Sequence, residues 1–160
     1  MDLPAPRPNI QRLQTYKPNF GKSKIHNLIR LSANESALGA SLNAVEALKI
    51  FSGDLNRYPP QVSDELTSAI SKRYSLEKKK IILGNGSDEL ISILAQTFLN
   101  SNDEAIYTEF GFLQFPQAIS IAGAKGVAAN DVNHTASVDN ILSKISKKTK
   151  LIFLANPNNP

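Results

Sequence analysis

The sequence predicts an α/β fold with a largely parallel sheet between helical layers, and three observations support that prediction. From about residue 80 onward, short apolar runs alternate with amphipathic segments, which is the pattern of strands and helices in a three-layer α/β/α arrangement. The connections between these segments are short. Glycine, serine and asparagine stand at the junctions, where helices begin and end. Right-handed crossovers then bring the loops that follow the strands to one edge of the sheet, where ligands bind in open α/β folds.

Composition indicates a globular protein and excludes several classes of function. The 160 residues are 41% hydrophobic and 20% charged, with a net charge of +4 and no cysteine. A disulfide scaffold and a thiolate metal site are therefore excluded, and His26 and His134 have no partners at metal-ligand spacing. No apolar run approaches the ~20 residues of a membrane span, and the N-terminus lacks a signal-peptide core. The lysine clusters lack the interleaved aromatics of a nucleic-acid face. We expect a cytoplasmic protein without membrane or nucleic-acid partners.

The first half of the chain contains an arm and two helices. Residues 1 to about 24 are rich in proline and lack periodicity, so we predict an extended N-terminal arm, followed by a short strand at 28–31. Two amphipathic helices follow, at about 42–51 and 64–74, each behind a serine that can cap it. Gly53 fits the C-terminal cap of the first helix.

The second half carries the strand–helix alternation. The apolar runs predict strands at about 80–83, 103–107, 126–129 and 150–154. The amphipathic segments between them predict helices at about 88–99, 112–122 and 138–146, the last capped by Ser137.

One stretch between a strand and a helix, Gly84–Glu89, has the composition of a phosphate site. Its two glycines allow close approach to the backbone. Ser87 and Asp88 stand at the predicted helix start, where free N–H groups and the positive end of the helix dipole attract an anion. An ordinary capped turn would have the same composition, and the two interpretations have similar weight for this stretch alone.

Two further loops follow strands at the same predicted edge. Thr108–Phe112 places the aromatic Phe110 beside a glycine, and Asn156–Pro160 holds amide groups between prolines. Taken singly, Phe110 suits a core position and the asparagine–proline string suits a structural turn. Together with the glycine turn, they describe a pocket for a planar phosphorylated ring.

Four motifs resemble a known family when they are taken in order. They are Leu31–Gly39, Leu55–Pro59, Gly84–Glu89 and Asn156–Pro160. Their order and spacing resemble the N-terminal part of the histidinol-phosphate aminotransferase family. These are class-II aminotransferases of fold type I that depend on pyridoxal 5'-phosphate (PLP). Ser36-Ala37 departs from the family's commoner Asn-Pro, which leaves this loop less rigid.

The resemblance implies a set of cofactor-binding residues. Gly86, Ser87 and Asp88 would belong to the cofactor site, where backbone N–H groups of Ser87 and Asp88 would bind the cofactor phosphate. Phe110 would stack on the pyridine ring, and Asn159 would hydrogen-bond its phenolic oxygen.

The resemblance also implies contacts with substrate and with a second subunit. Tyr58 would reach the cofactor phosphate of the partner subunit, so the active site would belong to a homodimer. Tyr16, Asn34 and Glu35 would lie near the substrate.

The implied activity is the transfer of an amino group from L-histidinol phosphate to 2-oxoglutarate in histidine biosynthesis. The products would be imidazole-acetol phosphate and L-glutamate. Residues 1–40 would form the arm and part of a small domain, and residues 41–160 the first part of the large PLP-binding domain. The Schiff-base lysine is expected beyond residue 160, so the chain ends inside a longer enzyme and this segment alone should be inactive.

Two other interpretations remain open at this point. An aromatic amino-acid aminotransferase or a threonine-phosphate decarboxylase-like enzyme shares the same motifs. A non-catalytic α/β module that binds phosphate would need only the glycine turn.

Overall fold

The structure is a computed structural model that describes residues 5–13, 29, 34–58 and 63–158. The chain divides into two compact units. The larger comprises Met1–Gln14 and Leu76–Pro160, and the smaller comprises Thr15–Ser75. The predicted domain boundary at residue 40 stays a prediction.

The described residues form six α-helices and three β-strands. The helices are α1 (Pro8–Gln11), α2 (Leu42–Phe51), α3 (Asp64–Tyr74), α4 (Gly86–Phe98), α5 (Gln114–Ala122) and α6 (Val138–Ser143). The strands are β1 (Glu104–Thr108), β2 (Lys125–Ala129) and β3 (Thr149–Phe153). In the described part of the chain, no helix is long and apolar enough to cross a membrane.

The sheet is parallel, with β1 between β2 and β3. Alternate residues of β1 enter two separate cores, as the pleat requires. Ala105 packs with residues of α4 and α5 on one face, and Ile106 packs with Ile141 of α6 on the other. The predicted three-layer arrangement with a parallel sheet is therefore confirmed.

Serine caps fix the starts of three helices as predicted. The hydroxyl oxygens of Ser41, Ser63 and Ser137 each accept a hydrogen bond from the backbone N–H three residues later, at 3.1, 3.4 and 3.3 Å. Each bond satisfies one of the N–H groups that a helix start leaves unpaired. At the C-terminal end of α5, Gly123 adopts a φ of +90°, the left-handed conformation of a C-terminal cap.

Two local predictions are wrong. Residues 80–83 do not form a strand, because Lys78–Lys80 make a 3-10 turn and no described strand pairs with the extended residues that follow. A strand needs a neighbour to satisfy its backbone groups. Gly53 is not a left-handed cap either. The end of α2 continues into a 3-10 turn, Ser52–Asp54, and Ser52 is the capping residue.

The N-terminal arm contains one helical turn within its described part. Pro8 opens α1, a position that suits its fixed φ. Arg7 donates a 2.6 Å hydrogen bond to the carbonyl of Ile121, and Asn9 donates to the carbonyl of Ser120, so α1 is tied to the end of α5. The predicted strand at 28–31 lies outside the described residues, apart from Ile29.

Candidate functional site

The start of α4 exposes the N–H groups of its first turn. The helix begins at Gly86, two residues earlier than predicted, so Ser87 and Asp88 lie inside the first turn. The carboxylate of Glu89 accepts a 2.6 Å hydrogen bond from the N–H of Asn85, which is the N-terminal cap residue. The N–H of Gly86 donates a 2.9 Å hydrogen bond to the carbonyl of Gly84. The N–H groups of Ser87 and Asp88, also in the first turn, have no acceptor within the helix, so they remain available to an anion.

The two glycines of this turn have different surroundings. Gly86 has a φ of +81°, and a Cβ placed on it would meet nothing within 4 Å. A Cβ on Gly84 would lie 2.9 Å from atoms of Glu89 and Leu90. Gly84 therefore packs the turn against its own helix, whereas Gly86 opens the helix start to solvent. Ser87 and Asp88 are both exposed. This open helix start fits a phosphate group.

The aromatic loop, Thr108–Phe112, lies at the carboxyl end of β1. The ring of Phe110 is 49% exposed. Its backbone N–H donates a 3.2 Å hydrogen bond to Oδ2 of Asp131, and its carbonyl accepts a 2.9 Å hydrogen bond from Nδ2 of Asn158. The imidazole of His134 packs beside the ring, with 5.1 Å between centroids and 50° between planes. Two side chains thus hold the peptide of Phe110, and a third packs beside its half-exposed ring.

Gly111 makes the tight turn of the aromatic loop possible. Its N–H donates a 2.9 Å hydrogen bond to the carbonyl of Thr108. A Cβ on Gly111 would lie 2.6 Å from the Thr108 hydroxyl oxygen and 2.9 Å from the Thr108 carbonyl oxygen. No side chain fits there, so the turn requires glycine.

Phe112 is a second ring of the aromatic loop that the sequence reasoning did not single out. It is 39% exposed and meets Phe115 edge to face, with ring centroids 5.9 Å apart. Phe115 is buried and stacks on Phe153 at 5.2 Å. The Phe-Gly-Phe spacing could have drawn attention to this ring, because both aromatics flank the same glycine.

The helix that follows the aromatic loop is hydrogen-bonded to α4. Gln114, at the start of α5, donates a 3.2 Å hydrogen bond from Nε2 to the hydroxyl oxygen of Ser92. Ser92 donates in turn to the carbonyl of Asp88 at 2.8 Å. The sequence carried no motif for Ser92 or Gln114.

The other predicted site residues lie elsewhere. Asn34, Glu35 and Tyr58 belong to the smaller unit, where all three are exposed and Tyr58 is 96% exposed. Tyr16 and Asn159 fall outside the described residues. Among the predicted loops, the structure joins the aromatic loop to the described part of the asparagine–proline loop, through the hydrogen bond from Asn158 to the carbonyl of Phe110. Across the described ranges, no group of three or more acidic or histidine side chains could hold a metal ion.

A family profile matches most of the chain. The family described as "Aminotransferase class I and II" matches residues 26–160.

Curated relatives cover the whole chain. A histidinol-phosphate aminotransferase of Paramagnetospirillum magneticum is 42% identical over 163 residues, and one of Rhodopseudomonas palustris (strain BisB18) is 44% identical over 164 residues. In both cases the match covers 100% of this chain but 44% of the relative. The chain thus spans less than half the length of the curated relatives that it matches.

Solved structures share the fold at lower identity. Histidinol-phosphate aminotransferase from Sinorhizobium meliloti, in complex with PLP, superposes with a TM-score of 0.84 at 23% identity. The match covers 96% of this chain and 42% of that one. A mutant aspartate aminotransferase of Thermus thermophilus gives a TM-score of 0.79 at 20% identity, over 99% of this chain and 43% of that one. These likenesses confirm the predicted aminotransferase fold of type I.

Proposed function

The chain belongs to the aminotransferase class I and II family, and we propose that the full-length protein transfers the amino group of L-histidinol phosphate to 2-oxoglutarate. Imidazole-acetol phosphate and L-glutamate are the products, and the reaction serves histidine biosynthesis. The curated relatives carry this activity in their names, at 42–44% identity over the whole chain. We also propose that the enzyme is cytoplasmic.

PLP is the proposed cofactor, and the larger unit offers it a fitting site. When bound, PLP supplies an electron sink for the bonds at the amino-bearing carbon. The observation that carries the proposal is the open start of α4, where nothing lies within 4 Å of the Cβ position of Gly86. N–H groups of Ser87 and Asp88 would bind the phosphate there, and Gly86 would leave room for it, because a helix N-terminus combines free donors with a positive dipole end.

The aromatic loop would orient the cofactor ring. The half-exposed ring of Phe110 is the proposed stacking partner, and the helix that follows its loop is hydrogen-bonded to α4. The phenyl ring of Phe110 would exclude water from one side of the cofactor ring and fix the plane of that ring. Asn159 is proposed to donate to the phenolic oxygen of the ring.

The remaining assignments concern the substrate and a second subunit. We assign Tyr58 to the cofactor phosphate of the partner subunit in a homodimer, which its 96% exposure in the smaller unit supports. Tyr16, Asn34 and Glu35 are proposed to lie near the substrate. The amino-group chemistry itself needs a lysine, which we place in the part of the enzyme beyond this chain.

The proposed substrate is tested with the full-length protein and PLP. Steady-state rates are measured with histidinol phosphate, phenylalanine and threonine phosphate, with 2-oxoglutarate as acceptor and with carbon dioxide release monitored for threonine phosphate. We expect the highest kcat/KM with histidinol phosphate. A preference for phenylalanine or threonine phosphate would assign the protein to one of the two sister activities. Binding of PLP without any turnover would leave only a phosphate-binding module.

A further inference from the structure

The peptide of Phe110 is held from both sides by side chains that come from other loops. Asp131, two residues beyond the end of β2, accepts its N–H at 3.2 Å. Asn158, five residues beyond the end of β3, donates to its carbonyl at 2.9 Å. The two bonds therefore tie the loops of all three strands together at one residue.

Neither bond contributes much to the stability of the fold. Phe110 is half-exposed, so water can replace either partner, and the net contribution of each bond is small. Their main effect is on the geometry of the aromatic loop. The aromatic loop is otherwise a short turn around Gly111, and two bonds on one peptide fix both its position and its tilt.

The residues that hold this peptide also have unused hydrogen-bonding capacity. Oδ1 of Asp131 and Oδ1 of Asn158 are both shielded from solvent, and neither has a partner among the described residues. Shielded oxygens normally have a donor. Two such unpaired oxygens beside one peptide make folding less favourable. Unfavourable features of this kind are common at ligand-binding sites.

From this geometry we propose that Asp131 and Asn158 are positioning residues, which hold the Phe110 peptide so that the aromatic loop meets the cofactor ring in one orientation. The proposal rests on the proposed function, since the ring is that of PLP. Neither residue touches the cofactor in this proposal. Both act through Phe110.

The experiment uses the full-length protein and PLP as the probe. Asp131→Leu removes the acceptor while keeping the branching at Cγ, and Asp131→Asn keeps an acceptor oxygen. Asn158→Asp is isosteric and removes the donor. Asp139→Leu is the matched control, because Asp139 is an exposed residue in the first turn of α6. Four quantities are measured: the Kd for PLP, the visible circular dichroism of bound PLP, the Tm of the apoenzyme, and kcat and KM.

We expect Asp131→Leu and Asn158→Asp to raise the Kd for PLP by roughly three- to tenfold, the range for one lost hydrogen bond. Both should weaken the visible circular dichroism, because the ring no longer meets a fixed neighbour. Asp131→Asn should stay within about twofold of the wild type on the same reasoning, since an acceptor remains. The apoenzyme Tm should change no more than in Asp139→Leu.

Two results would overturn the proposal. One is an Asp131→Leu variant that matches Asp139→Leu in Kd and in circular dichroism. The other is loss of PLP binding only in proportion to a lowered Tm, with no rescue by Asp131→Asn. If instead the wild-type protein fails to bind PLP, the proposed function itself fails. Asn158→Asp keeps the test decisive if Asp131→Leu does not fold.

Discussion

The side-chain amide of Gln114, at the start of α5, donates a 3.2 Å hydrogen bond to the hydroxyl oxygen of Ser92, in the middle of α4. Ser92 in turn donates to the carbonyl of Asp88, in the first turn of the same helix. These bonds link the helix that carries the proposed phosphate site to the helix that follows the aromatic loop. We propose that the two helices thereby present both ends of a planar phosphorylated ring with their binding groups, the phosphate with the α4 start and the ring with the aromatic loop.

We expect Gln114→Leu and Ser92→Ala each to destabilise the protein by about 0.5–1.5 kcal/mol, the net value of a partly buried hydrogen bond. The double variant should cost less than the sum, because both changes remove the same contact. Urea denaturation measures all three free energies of unfolding. Gln96→Leu, on an exposed position of α4, is the control. Strict additivity would show that the two side chains do not interact.

Ser87→Pro tests the phosphate site directly, because proline removes one N–H donor from the first turn of α4. Proline is tolerated in a first helical turn. A lost bond to a charged phosphate should raise the Kd for PLP about tenfold or more. Ser87→Ala keeps the N–H and should change the Kd far less. Equal effects of proline and alanine would place the anion contact on the hydroxyl, and no effect of either would remove Ser87 from the site.

Gly111→Ala tests the tight turn of the aromatic loop. Its Cβ would lie 2.6 Å from the hydroxyl oxygen and 2.9 Å from the carbonyl oxygen of Thr108, so the backbone must shift. We expect a destabilisation of roughly 1–3 kcal/mol, the usual cost of overpacking, together with weaker PLP binding. Gly53→Ala is the control, since a Cβ there meets nothing within 4 Å. A Gly111→Ala variant as stable as Gly53→Ala would contradict the geometry of this turn.

Phe110 and Phe112 can be separated by replacing each with leucine. Phe110→Leu should lower the affinity for PLP and change the visible spectrum of the bound cofactor, because the stacking plate is lost. Phe112→Leu should mainly cost stability, by about 0.5–1.5 kcal/mol, because its ring packs edge to face on Phe115. The opposite outcome, a spectral change only in Phe112→Leu, would assign the stacking role to Phe112.

The sequence predicted those features that depend on neighbours in the chain. Ser41 and Ser63 cap their helices through the N–H three residues away, a distance that local pattern can express. The failed strand at 80–83 shows the opposite case. Its apolar residues look like a strand, but pairing depends on a distant segment that local pattern does not specify.

The candidate site also contains features that depend on chain neighbours and features that depend on distant segments. The open start of α4 follows from Gly86 and its two neighbours, so the sequence was sufficient to find it. The partners of Phe110 were not predictable. Asp131 lies 21 positions away and belongs to no motif, and no local pattern relates Asn158, within the Asn156–Pro160 motif, to a residue 48 positions away. Only the parallel order of the strands brings their loops to the same residue.

Glu104 gives a pH-dependent prediction at the opposite edge of the sheet. Its side chain is 12% exposed, and its carboxylate lies 2.8 Å from the ammonium of Lys125 and 2.8 Å from the hydroxyl of Ser146. Hydrogen bonds from Lys125 and then from Ser146 lower the pKa of Glu104 below its ordinary value of 4.5. A carboxyl with a lowered pKa stabilises the fold fully above its unfolded value. That contribution is lost as the pH falls through the folded value.

Glu104→Gln should therefore lower the Tm at pH 7, and the difference from the wild type should shrink as the pH falls below 4.5. Thermal unfolding of the full-length protein at several pH values between neutral and acid measures this. Glu46→Gln is the control, because the Glu46 side chain is 64% exposed in its pair with Lys49, and solvent screens such a pair. A Glu104→Gln difference that persists unchanged in acid would mean that the side chain acts through packing and not through its charge.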